Sequence, residues 1–72
     1  DSDLYIYKSG MISKTSIYYL NILSGSPLLK SNELKDKQFY ICREDLLEET
    51  GNYTILLDIE YESELFHLIK LQ

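Results

Sequence analysis

The chain has one histidine and one cysteine, the residue types that most often serve as a general base or a nucleophile near neutral pH. His67 lies inside an unbroken run of strand-forming residues, with no Gly-x-Ser-x-Gly turn and no glycine-rich oxyanion loop beside it. Cys42 ends an apolar run, where we expect a buried structural thiol, although in an oxidising compartment it could pair between chains. We therefore predict that His67 is a packing or edge residue, that no residue is catalytic, and that the protein is not an enzyme.

Carboxylates are the other groups that could do chemistry. They form two sets, Glu44, Asp45, Glu48 and Glu49 in the first and Asp58, Glu60, Glu62 and Glu64 in the second. Hard cations such as calcium take about six to eight oxygen ligands, so either set could supply part of a site. The sequence lacks an Asp-x-Asp-x-Asp-Gly loop, however. We interpret both sets as solvated acidic surface and predict no metal and no cofactor.

Length and charge restrict the possible partners. The chain has 72 residues and a net charge of −5, which permits one small domain over residues 1–72. Residues 1–36 carry four acidic and four basic residues, whereas residues 37–72 carry eight acidic and three basic ones. This acidity argues against nucleic acid as a partner, because phosphate contacts need clustered lysine and arginine. No apolar run approaches the roughly 18 residues of a membrane span, so none is predicted.

Residues with high β-propensity recur along the chain and are separated by turn-forming residues. They predict six short strands, namely Leu4–Tyr7, residues 15–23, a short one beginning at residues 28–29, residues 38–42, Tyr53–Tyr61 and Glu64–Leu71. Glu62 and Ser63 would form a two-residue hairpin turn between the last two, although neither residue favours positive φ. We predict an all-β domain, a small six-stranded immunoglobulin-like sandwich.

One segment favours a helix. Residues 43–50 are good helix formers and are followed by Gly51, a residue common just after helix ends. We expect one 3₁₀ turn or a short helix near residues 44–49. The alternative fold class is accordingly α+β, with a short helix over residues 43–50 packed on a sheet.

Alternation along the strands predicts which side chains face the core. In Tyr53–Tyr61 every second residue is apolar, from Tyr53 to Tyr61, and this set should form one core face. Leu4–Tyr7 places its aliphatic residues on one side and its tyrosines on the other. In the last strand we expect Ile69 and Leu71 to point inward, because Lys70 must reach water.

The second half of the chain resembles the end of many small immunoglobulin-like modules. The similarity covers residues 38–72: a strand, Leu46-Leu47, the stretch from Gly51 to Ile55, a hairpin and a last strand. It is similar to small secreted β-sandwich domains of gut Bacteroidetes and to the C-terminal sorting domains of type IX secretion cargo. The resemblance implies an exported protein, secreted, periplasmic or on the cell surface, without catalytic residues.

Tyrosine is abundant, with seven residues in the chain. Exposed tyrosines make good binding residues because they combine a large apolar body with a polar tip. We predict that Tyr5, Tyr7 and Tyr19 form a contact surface for a protein or a glycan, and that the protein is a non-catalytic exported binding or accessory module. Two alternatives remain open: a small acidic cytoplasmic interaction or inhibitor protein, and a secretion-sorting domain.

Overall fold

The computed structural model describes residues 3–25 and 27–72. Within these ranges the protein is mainly β, with one α-helix and one five-stranded sheet. The strands are β1 (Leu4–Tyr7), β2 (Leu29–Ser31), β3 (Phe39–Arg43), β4 (Tyr53–Tyr61) and β5 (Glu64–Leu71). The helix is α1 (Lys14–Ser24), and two 3₁₀ helices span Ser9–Met11 and Glu44–Glu49.

The strand order is β2-β1-β3-β5-β4, which leaves β2 and β4 at the two edges. β1 pairs in parallel with both β2 and β3, whereas β5 pairs antiparallel with both β3 and β4. Chain connectivity explains why the sheet contains both parallel and antiparallel pairs. The helix α1 crosses from β1 to β2, as a parallel pair requires, and a short hairpin joins β4 to β5. The long β4 therefore has a neighbour on one side only among the described strands.

Two parts of the predicted architecture are wrong. Five strands form one sheet, where the prediction had six strands in a sandwich, and residues 15–23 belong to α1 instead of a strand. The α+β alternative is closer in having a helix on a sheet, but residues 43–50 hold only a 3₁₀ helix, as expected for that segment. The other predicted strands lie within two residues of the observed ones.

Local signals at both ends account for α1. The side chain of Ser13, the N-cap residue, accepts a hydrogen bond from the Ser16 backbone N–H at 3.2 Å. At the other end Gly25 adopts φ 78°, a left-handed conformation that glycine takes without a Cβ penalty. Between these caps Ser16 and Leu20 lie on one side of the helix and are buried. Packing against the sheet thus overrides the β-propensity of the segment.

Both faces of the sheet are covered. The helix face carries a cluster in which Ile6, Ile41, Ile59 and Phe66 pack with Leu20 of α1. On the opposite face the 3₁₀ helix Glu44–Glu49 contributes to a second cluster, which contains Tyr7, Tyr40, Cys42, Leu46, Ile69 and Leu71. The expected division of β1 is confirmed, and so is the burial of Ile69 and Leu71. Because β5 contributes to both clusters, the core has two layers.

A register shift divides β4. The pairing with β5 is irregular between Ile55 and Leu57, so Leu56 is the extra residue of a β-bulge. Tyr53 consequently packs on the opposite face, whereas Ile59 packs on the helix face. The prediction of one continuous core face from Tyr53 to Tyr61 is therefore wrong, since an inserted residue reverses the alternation.

The β4–β5 hairpin is as predicted, with Glu62 and Ser63 as its two turn residues. Their φ angles are 50° and 68°, both in the left-handed region. Tight two-residue hairpins need this conformation because their twist must match that of the strands. Two non-glycine residues therefore occupy unfavourable backbone conformations here.

The first prediction separates helix from strand for residues 15–23. In a strand Leu20 and Ile22 would share a face, but in α1 Leu20 is 0% exposed and Ile22 is 62% exposed. We expect Leu20→Ala to lower the free energy of unfolding by about 2–5 kcal/mol. Ile22→Ala, the matched control, should change it by less than about 0.5 kcal/mol. Denaturant unfolding measures both, and equal losses would contradict the helix.

The second prediction concerns the hairpin turn. Ser63→Gly, alone or with Glu62→Asn, should raise the free energy of unfolding by about 0.5–1 kcal/mol, because it relieves left-handed strain. Ser9→Gly serves as the control, since Ser9 begins a 3₁₀ helix and should gain nothing. Equal effects of the two glycine substitutions in denaturant unfolding would refute the turn conformation.

Candidate functional site

α1 runs alongside β4 on the helix face and is held to the hairpin end by two contacts. The Ser16 hydroxyl donates to Glu64 Oε1 at 3.0 Å, and the rings of Tyr19 and Tyr61 stack with centroids 4.2 Å apart. The Ser13 hydroxyl donates a hydrogen bond to the Ser16 hydroxyl oxygen at 3.0 Å, so the start of the helix is part of the same network. These contacts close the space between helix and sheet at the hairpin end.

Toward the end of α1 the space between helix and sheet is open. A groove of about 260 Å³ lies between Leu20 and Leu23 of the helix and Leu57 and Ile59 of β4. Its remaining lining residues are Leu4, Ser24, Ile41 and Leu68. Leu23 and Leu57, at its two sides, are 50% and 52% exposed. We call this feature the β4 groove, and all of its lining side chains except that of Ser24 are apolar.

The β4 groove lies on an edge strand that also carries exposed apolar residues before the bulge. Ile55 and Leu56 are large hydrophobic residues with 44% and 50% exposure, and Ile55, which pairs with Ile69, lies on the face away from the groove. Every second residue of an edge strand also directs its backbone N–H and C=O away from the sheet, where another strand can pair with them. The other edge strand, β2, has only three residues and offers a much shorter template. β4 thus combines unpaired backbone with unfilled apolar surface.

On the face of the sheet away from α1, the second half of β4 is acidic. Asp58 Oδ1 lies 2.6 Å from Nδ1 of His67, and Glu44 Oε1 lies 3.3 Å from Nε2 of the same ring. The ring is 5% exposed, whereas both carboxylate side chains are mostly in solvent. Glu60 follows on the same side of β4 and is exposed. His67 is therefore packed between β4 and the 3₁₀ helix, as the sequence predicts.

The three predicted contact tyrosines do not form one surface. Tyr7 is buried on the opposite face, where its hydroxyl donates to Glu49 at 2.9 Å and burial raises the pKa of the phenol. Tyr5 is half-buried on that face, with its ring 6.0 Å from that of Tyr40. Tyr19 lies on the helix face against Tyr61. Alternation alone could not show that both faces of the sheet are covered.

Cys42 and His67 face each other across β3 and β5 but do not form a reactive pair. Both nitrogens of His67 are engaged by carboxylates, and the Cys42 Sγ donates to the Arg43 carbonyl at 3.4 Å. Burial, with smaller contributions from the charges of Glu49 and Asp45, raises the pKa of the Cys42 thiol to about 12. The Cys42 thiol is thus 0% exposed and protonated near neutral pH, the opposite of the exposed, low-pKa setting of reactive cysteines.

Two further carboxylates of the 3₁₀ helix Glu44–Glu49 have separate basic partners. Asp45 pairs with Arg43 at 2.6 Å, and Glu49 pairs with Lys8 at 2.6 Å. These contacts lower the pKa values of Asp45 and Glu49, chiefly through hydrogen bonds from Arg43 and Lys8. In the part of the chain that the structure describes, no three His, Cys, Asp or Glu side chains are grouped to hold a metal ion. No helix within residues 3–25 and 27–72 is long and apolar enough to cross a membrane.

Comparisons of the chain with protein-family models, with curated proteins and with solved structures return no match. The function is therefore inferred from the geometry of the chain's own residues. Sequence reasoning did not identify Leu23 or Leu57, at the two sides of the β4 groove, as site residues. Their role depends on the helix over residues 14–24 and on the bulge, and neither was predicted.

The third prediction tests the buried thiol. The folded pKa of Cys42, about 12, lies above the ordinary value of 9.0, so its contribution to stability is complete below pH 9 and is lost as the pH rises toward 12. Between these values wild type should lose about 1.4 kcal/mol of unfolding free energy per pH unit more than Cys42→Ala. Denaturant unfolding at several alkaline pH values measures the two slopes, and equal slopes would contradict the buried, protonated thiol.

Proposed function

We propose that this protein is a non-catalytic binding module that takes an extended segment of a partner protein along the edge of β4. The supporting observation is the β4 groove, unfilled apolar surface directly beside unpaired strand backbone. Strand addition obtains affinity from main-chain hydrogen bonds and specificity from pockets for alternate side chains. Both elements of that recognition mode are present on one edge of this sheet.

The chemistry of the groove favours a polypeptide over a small molecule. Small-molecule sites usually place several polar groups around an enclosed apolar cavity, and these groups fix the orientation of the ligand. Seven of the eight residues that line the β4 groove are apolar, and the polar one is Ser24. The hydrogen-bonding capacity lies instead in the adjacent backbone of β4. An extended polypeptide fits this arrangement, because its backbone can pair with β4 while its side chains contact the apolar groove.

The bulge limits the paired length. Leu56 interrupts the regular ladder, so the regular part of β4 next to the groove runs over residues 57–61. Leu57 and Ile59 on this part line the groove, while Asp58 and Glu60 lie on the other side of the strand. We propose residues 57–61 as the pairing segment, with Leu20 and Leu23 of α1 as the far wall of the groove.

The fourth prediction tests this function. A display library of random peptides is selected on wild type, and the selected peptides are measured on two variants. Leu57→Glu places a charge beside the groove and should weaken them at least about tenfold. Ile22→Glu alters an equally apolar and exposed residue on the outer side of α1, and should leave affinity within about twofold.

Circular dichroism and denaturant unfolding establish that both variants are folded. Selected peptides that bind Leu57→Glu and wild type alike would contradict the proposed site. The proposal also fails if selection yields no peptide whose affinity depends on Leu57.

A further inference from the structure

The two sides of the β4 edge differ in chemistry. On the helix face Leu57 and Ile59 border the apolar β4 groove. On the opposite face the corresponding positions are Asp58 and Glu60, and both are exposed. An added strand continues the pleat of its neighbour, so its side chains alternate between the same two environments. One set of incoming side chains must therefore meet leucine and isoleucine, and the other must meet carboxylates.

The carboxylates on this edge lack cationic neighbours along the strand. β4 contains no lysine or arginine, and Glu60 is exposed. Asp58 contacts His67 with one oxygen, and its side chain is 70% exposed. Glu44, beyond His67, adds a third carboxylate on the same face. The local charge is negative, in the half of the chain that carries the whole net charge of −5.

We propose that the segment bound along β4 alternates apolar residues with lysine or arginine, and that its cationic side chains lie beside Asp58 and Glu60. This inference rests on the proposed function and adds the chemistry of the partner. Asp58 and Glu60 are two residues apart, about 6.8 Å along a strand, which is the spacing of alternate residues in the incoming segment. Apolar side chains between them enter the β4 groove.

A second copy of the chain is a poorer occupant. Pairing through its own β4 would bring Asp58 and Glu60 to an edge that already carries them, and β4 itself contains no lysine or arginine. Like charges brought together at an interface oppose binding, whereas opposite charges accelerate association and fix the register. The charge of the edge therefore favours a basic partner over self-association.

The fifth prediction uses three peptide pools of nine residues, the length of β4. All share mixed Val, Ile, Leu and Phe at alternate positions, and the intervening positions hold Lys and Arg, Ser and Thr, or Asp and Glu. We expect affinity for wild type to decrease in that order, with about tenfold between the first and second pools at low salt. Fluorescence anisotropy measures affinity, and the difference should shrink as salt is added.

Charge reversal at single residues locates the effect. Glu60→Lys should weaken the basic pool about tenfold and strengthen the acidic pool. Glu33→Lys makes the same change of charge next to β2, at the other edge of the sheet, and should change either affinity less than about twofold. Amide chemical shifts of residues 57–61 report whether each pool occupies β4. Equal responses to the two variants would overturn the placement of the cationic side chains.

The outcomes separate the two proposals. Suppose the acidic or the neutral pool shifts the amide signals of β4 and binds as tightly as the basic pool. The partner chemistry is then wrong and the proposed function stands. If no pool shifts those amides, both proposals fail. A β4-mediated dimer of the free protein in sedimentation would overturn the basic partner in favour of a second copy.

Discussion

A single helix of 11 residues has to cover one face of a five-stranded sheet. Strands lie about 4.8 Å apart, so the sheet is about 20 Å wide, whereas a helix with its side chains is about 10–12 Å across. The helix cannot cover the whole face. It is attached to the hairpin end of β4 and β5 by the Ser16–Glu64 hydrogen bond and the Tyr19–Tyr61 stack, which leaves the opposite end exposed. The β4 groove follows from this mismatch in width and from the position of the attachment.

The opposite face of the sheet is packed differently beside β4. There the 3₁₀ helix Glu44–Glu49 contributes Leu46 to the core, and the carboxylates of Glu44 and Asp58 contact the buried His67. A histidine between two carboxylates has partners for both ring nitrogens, so the polar ring can be buried on an otherwise apolar face. Asp58, together with Glu60, makes this side of β4 acidic. The contact with His67 therefore lies on the charged side of the edge, away from the β4 groove.

Much of the strand content follows from the sequence, but the site does not. The strands Leu4–Tyr7, Tyr53–Tyr61 and Glu64–Leu71 are bounded by clear turn residues, and the 3₁₀ helix precedes Gly51. Residues 15–23 are rich in β-branched and aromatic residues, so their intrinsic propensity pointed to a strand. The caps Ser13 and Gly25 were the signals for a helix, and tertiary packing decided the outcome.

The bulge could not be predicted from the sequence for a related reason. Apolar residues alternate without interruption from Tyr53 to Tyr61, so nothing in β4 itself shows that Leu56 is inserted. Its partner β5 has buried apolar residues on both faces, Phe66 in one cluster and Ile69 in the other, so the pattern of β5 does not specify one register. Only the pairing of the two strands determines which leucines remain exposed. The β4 groove therefore depends on tertiary contacts that no local pattern encodes.

Amide hydrogen exchange tests the central claim most directly, because strand addition must place new hydrogen bonds on the outer edge of β4. The outward-facing amides of residues 57–61 should exchange quickly in the free protein. With saturating basic–apolar peptide their exchange should slow by more than about tenfold, while the amides of β2 at the other edge stay unchanged. Protection at β2, or unchanged exchange at β4 with the peptide bound, would contradict the account.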